Sequence, residues 1–70
     1  MMPLVFADDG EINVIRAIKG TDEIRHHLSN LGFVVGGTVQ IISRMGGNVI
    51  VNVKESRIAI DEKMAQKIMI

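Results

Sequence analysis

The stretch from Leu31 to Val53, LGFVVGGTVQIISRMGGNVIVNV, restricts what this chain can fold into more than any other segment. Two glycine pairs, Gly36-Gly37 and Gly46-Gly47, bracket residues that alternate between apolar and polar. Successive side chains of a strand point to opposite faces, so such alternation marks a strand with one buried face. Glycine reaches positive φ without a Cβ clash, which a tight reversal between two strands requires. Gly10, Gly20 and Gly32 also fall between periodic segments, so the chain reads as short elements separated by turns. Its 70 residues are too few for a β-sandwich. A mainly β fold follows: one small, partly open barrel domain of about five strands.

The elements can be placed. Glu11 to Ile18 (EINVIRAI) reads as the first strand, and the adjacent Val14 and Ile15 predict a bulge or burial on both faces. Thr21 predicts a helix N-cap, with Asp22 and Glu23 where the helix dipole favours acids. Ile24, Leu28 and Leu31 then form one apolar stripe, and Gly32 ends the helix. Thr38 to Arg44 and Asn48 to Val53 form a hairpin. A three-residue loop, Met45-Gly46-Gly47, sets Ile41 against Val51, Val39 against Val53, Ile42 against Ile50 and Arg44 against Asn48. A two-residue Gly46-Gly47 loop would set Ile42 against Val51 and mix the faces, so the longer loop is expected. Ser56 to Ile60 is a further strand, with Ile58 and Ile60 inward and Arg57 outward. Asp61 caps a short helical turn through EKMAQK, and IMI closes the chain as a last strand.

Composition narrows the function. Formal net charge is +0, the basic residues are scattered, and Phe6 and Phe33 are the only aromatics. Nucleic-acid binding surfaces combine a basic face with stacking aromatics, so no nucleic-acid partner is expected. Without cysteine there is no disulfide, thiolate metal site or thiol nucleophile. MMPLVFADDG carries no basic leader, and no apolar run approaches the roughly 18 residues of a membrane span. The expectation is a soluble, cytoplasmic protein that does not insert into the membrane.

The polar groups offer little chemistry. Asp22-Glu23-Ile24-Arg25-His26-His27 places Asp22 with His26, and Glu23 with His27, one helical turn apart. These four are the candidate metal ligands, with weak binding of a divalent ion such as Fe²⁺ as the corresponding expectation. The two histidines are adjacent, about 100° apart round the helix, so they do not share one ion within it. Two ligands leave a site short of the usual coordination. Ser29, Ser43 and Ser56 lack triad company, and Gly36-Gly37 lacks the GxxxxGK[ST] frame of a phosphate loop. No catalytic residue is expected.

What remains is surface. Hydrophobic residues make up 47% of the chain, a high share for so small a domain. In the expected register Ile42 and Ile50 pair on the outer face, flanked by Gln40/Asn52 and Arg44/Asn48. An apolar centre within a polar surround is the composition of a docking surface. Burying two isoleucines contributes about 3–6 kcal/mol, whether the cover is the domain's own helix, its C-terminal segment or a partner. Phe33, Val34 and Val35, just after the helix, pose the same choice. Self-association through this pair is compatible with either. The methionines are flexible contacts for a core or a partner.

The order of these segments resembles the FeoA family, small proteins associated with the FeoB ferrous-iron transporter. MPLVFADDGE is similar to the family's opening segment and LSNLGFVVGGTVQII to its helix-to-strand signature. MGGNVIVNV followed by SRIAI is similar to its glycine hairpin and following strand, and AQKIMI to its closing segment. Asn48, Lys54-Glu55 and Phe33-Val34 depart from the common pattern; a glycine turn is usual where Lys54-Glu55 stands. The resemblance implies an SH3-like barrel and a non-enzymatic role in Fe²⁺ uptake, with the cytoplasmic part of a FeoB-like transporter as partner. It carries over no catalytic residue. The same domain ends the metal-dependent repressors of the DtxR type, which implies metal binding or metal sensing as the alternative function.

Overall fold

The computed structural model describes residues 1–70. After a 3-10 turn at Leu4–Phe6 come β1 (Ile12–Val14), β2 (Ala17–Ile18), α1 (Asp22–Leu31), β3 (Thr38–Met45) and β4 (Asn48–Val53). β5 (Ser56–Asp61), α2 (Glu62–Ala65) and β6 (Ile68–Met69) complete the chain. β1, β3, β4 and β5 form an antiparallel sheet in that order, and β2 pairs with β6. No ladder joins β1 to β5, so the larger sheet stays open.

α1 forms where its caps predict. The Thr21 hydroxyl accepts from the Ile24 amide at 3.2 Å, and Asp22 and Glu23 occupy the first turn. At the far end Gly32 stands at φ 110°, its N–H donating to the Ser29 carbonyl at 3.0 Å. The Phe33 N–H reaches the Leu28 carbonyl at 3.0 Å. This pair of bonds is the Schellman stop, which folds the residue after the glycine back against the helix. Asp61 caps α2 by accepting from the Met64 amide at 2.8 Å.

Two expectations about the strands are corrected. The first strand is not one strand but two, which makes six in all. β1 lies beside β3; Ile15 then exchanges two bonds with the Gly36-Gly37 turn at 2.8 Å, and Arg16 donates to Met69. The chain thus crosses between sheets at the Val14-Ile15 pair, with Ile15 fully buried and Val14 exposed on the outer face.

The second correction concerns the hairpin. The loop is Gly46-Gly47 alone, at φ 54° and 81°, so Met45 faces Asn48, Arg44 faces Val49 and Ser43 faces Ile50. An irregularity at Ile42 absorbs one residue, and beyond it Ile41 meets Val51 and Val39 meets Val53. The bulge lets a tight turn and a consistent buried face coexist. Arg44 therefore does not face Asn48. Its guanidinium clamps the opening segment, donating to the Val5 and Ala7 carbonyls at 2.7 and 2.6 Å and to the Asp9 carboxylate at 3.0 Å.

Every buried residue is apolar. Val39, Ile41, Val49, Val51, Val53 and Ile60 from the sheet meet Leu4, Ile15, Leu28, Phe33, Ala65 and Ile68, with Ile58 packed at the margin. The chain ends meet through bonds between Met2 and Ile70 in both directions.

Candidate functional site

Two surfaces hold most of the residues singled out by sequence. The first is an open groove of about 350 Å³ along α1, lined by Glu23, Ile24, His26, His27, Asn30 and Met64. Residues three and four apart share a helix face, which brings Glu23, His26 and His27 to this groove. Asp22 is engaged by the Arg25 guanidinium, one turn further along. No three His, Asp or Glu side chains come together in an arrangement that could hold a metal ion. The residues present do not fit a complete metal centre.

The second surface is the outer face of the larger sheet. Directly opposed residues on neighbouring strands share a face, so the register reads it off. Ile12, Gln40, Asn52 and Arg57 form one row across all four strands. Val14 with Thr38, and Ser43 with Ile50 and Ala59, flank that row. The Gln40 side chain donates to the Gly10 carbonyl at 2.8 Å, and Asn52 donates to the Gln40 side-chain oxygen at 3.4 Å. These bonds fix a polar centre between apolar flanks. Ile42 and Ile50 are half-buried and stand outside the core cluster. The expected Ile42–Ile50 pair is corrected: the bulge places Ser43, not Ile42, directly across from Ile50.

Two members of this face, Ile12 and Val14, were not expected on the surface; Val14 was read, with Ile15, as a sign of a bulge or of burial on both faces. They are 67% and 45% exposed, and their alternation with Asn13, which opposes the buried Val39, would by itself read as a buried face. Once Ile15 is committed to the core, its neighbour Val14 must leave it. Phe33 is a correction in the opposite sense: at 1% exposure it belongs to the core and cannot contact a partner. Val34 is half-buried in the turn before β3, apart from the four-strand row. Met69 is buried and Met64 packs against the core, whereas Met1, Met2 and Met45 are exposed. Gly36-Gly37 bends the chain and holds Ile15 through its own backbone groups.

The domain is a small open sheet with an apolar interior and a semi-apolar outer face. The comparisons define the class as an SH3-like domain: a Stenotrophomonas maltophilia FeoA complexed with zinc, described as a procaryotic SH3 domain protein, superposes with a TM-score of 0.73. It is 23% identical, over 99% of this chain and 88% of that one. Residues 2–70 match the FeoA domain, and the chain belongs to the FeoA family. Its sequence is 34% identical to an Fe²⁺ transport protein A of Methanocaldococcus jannaschii, over 100% of this chain and 85% of that protein. The crystal structure of an iron uptake regulatory protein (FeoA) superposes with a TM-score of 0.88 at 29% identity, covering 97% of this chain and 90% of that one. The same fold occupies 38% of a manganese-dependent transcriptional repressor, with a TM-score of 0.84 at 16% identity. Membership places the chain among the non-enzymatic accessory proteins of ferrous iron transport. No helix is long and apolar enough to cross a membrane.

Proposed function

We propose that this protein regulates ferrous iron uptake by docking on the cytoplasmic part of a FeoB-type transporter, and that it acts in the cytoplasm. The observation that carries this reading is the outer face of the four-stranded sheet, where Ile12, Val14, Ile42 and Ile50 surround the Gln40–Asn52 pair outside the core. A docking protein changes a transporter only by binding two of its conformations unequally, so the face must recognise one state better than the other. Co-purification with the transporter's cytoplasmic portion tests this. The wild-type chain is expected to be retained. Ile42→Ser with Ile50→Ser is expected to abolish retention while the circular dichroism spectrum stays unchanged. Loss of the folded spectrum instead would assign the pair to the core.

Metal binding is a second reading, favoured by Glu23, His26 and His27 lining one groove. Because that ligand set is incomplete, the isolated chain is expected to take Fe²⁺ or Zn²⁺ weakly. Calorimetric titration should give a dissociation constant no tighter than about 0.1 mM. His27→Ala should weaken it further. Stoichiometric micromolar binding that His26→Ala or His27→Ala removes would make the domain a metal sensor.

A further inference from the structure

The two edges of the larger sheet are not alike. β1 offers three residues before the chain leaves for the second sheet. β5 runs six residues and pairs with β4 at every position, with no irregularity, glycine or proline. Sheet edges are commonly blunted by short length, bulges or proline, and β5 has none of these. Its only charges are Arg57 near one end and Asp61 at the other.

The turn before β5 fixes which backbone groups point away from the sheet. Lys54 and Glu55 stand at φ 48° and 64°, strained values for L residues, and form a two-residue turn between Val53 and Ser56. Residues flanking such a turn are a hydrogen-bonded pair, and bonded and non-bonded pairs then alternate along the ladder. Ser56, Ile58 and Ile60 therefore bond to β4, and the Glu62 N–H continues that phase by donating to the Gly47 carbonyl at 3.1 Å. Arg57, Ala59 and Asp61 turn their N–H groups to the free edge, where no strand or loop meets Arg57 or Ala59. The side chains of the same three are exposed, on the face opposite Ile58 and Ile60. Neither Arg57 nor Asp61 belongs to an ion pair of the chain, although one Asp61 carboxylate oxygen caps α2.

This edge is complementary to itself. Two β5 strands laid antiparallel, edge to edge, must set outward residues against outward residues. Centred on Ala59, that pairing puts Arg57 of each copy across from Asp61 of the other, and Ile58 across from Ile60. Centring on Arg57 or on Asp61 sets like charges together, and the registers between leave Arg57 opposite no carboxylate. We propose that β5 is a self-recognition edge, on which a second copy of this chain pairs antiparallel about Ala59. The two Ala59 residues exchange both backbone bonds, and an Arg57–Asp61 pair closes each end. Ile60 of the second copy covers Ile58, which the single chain leaves half-buried at the margin of its core. The two four-stranded sheets become one, and their outer faces a continuous surface.

One paired edge buries less than the roughly 1,200 Å² of a stable interface, so a dissociation constant of about 0.1–1 mM is expected. Sedimentation equilibrium of the chain alone, from about 0.05 to 2 mM, should show a monomer passing to a dimer. Over the same range the amide resonances of Arg57, Ala59 and Asp61 should shift, and those of Ile12 and Val14 should not. Ala59→Pro removes an outward N–H while sparing the bonds to β4, and is expected to stay monomeric throughout. Arg57→Asp sets carboxylates against each other and should weaken association at least about tenfold. Circular dichroism checks that each variant is folded; if Ala59→Pro is not, Arg57→Asp decides. A chain that remains monomeric at the highest concentration, a dimer that folded Arg57→Asp leaves undiminished, or shifts centred on another surface would overturn the edge. No transporter takes part, so either result leaves the docking reading to its own test.

Discussion

Phe33→Ala is expected to unfold most of the population at 25 °C. Truncating a buried phenylalanine typically costs about 3–5 kcal/mol, the transfer free energy of the ring plus the cavity it leaves. Phe33 is 1% exposed and is the largest of the fully buried side chains. A single small core rarely supplies more than about 5 kcal/mol of net stability, so little would remain. Urea denaturation followed by circular dichroism measures it. A loss below about 1 kcal/mol would mean that the ring packs loosely and that the helix stop does not direct it inward.

Arg44→Ala is expected to cost about 2 kcal/mol, an unusually large effect for a side chain so open to water. The Asp9 pair contributes little, since exposed ion pairs are worth about 0–1 kcal/mol. The larger share comes from the Val5 and Ala7 carbonyls, which the planar guanidinium holds as a fork. Arg44→Lys should recover less than half of the loss, because one ammonium cannot reach both carbonyls and the carboxylate. Hydrogen exchange should show the lost protection at the Phe6 and Ala7 amides, which close the opening turn on Pro3 and Leu4. Unchanged exchange there would show that the segment is held by Leu4 alone.

The parts of this fold that were legible in the sequence are those governed by local chemistry. Thr21, the paired acids after it and Gly32 bound α1 at both ends, and Asp61 does the same for the start of α2. The parts that were not legible depend on one residue of slippage. Arguing from face consistency alone, a two-residue glycine loop is excluded; the bulge at Ile42 restores consistency and admits it. A bulge needs no special residue at its centre, so Ile42 gives no sign of it. The split of the first strand left a sign, the adjacent Val14 and Ile15, but two-sided burial and a change of sheet look alike in one dimension. Phe33 left the clearest unused sign. A hydrophobic residue directly after the helix-ending glycine packs back on the last turn, and here it sits with Leu28 in the core.

The candidate surface was legible only in part. Ile50 falls opposite the inward face because Ile41 and Val51 pin that face from both strands, but its expected pairing with Ile42 was lost to the bulge. Ile12 and Val14 were missed because alternation tells which residues share a face, not whether another element covers that face. The strain at Lys54 and Glu55 was equally hidden. Their place between two strands marks a turn, but neither residue type signals the positive φ that both adopt.

The central claim is that the outer sheet face receives the transporter, and a titration of the isotope-labelled chain with the transporter's cytoplasmic portion tests it most directly by NMR. Chemical-shift changes should concentrate on Ile12, Val14, Ile42, Ile50 and the Gln40–Asn52 pair, leaving the α1 groove at Glu23, His26 and His27 unmoved. Changes confined to that groove, or none anywhere at saturating partner, would contradict it.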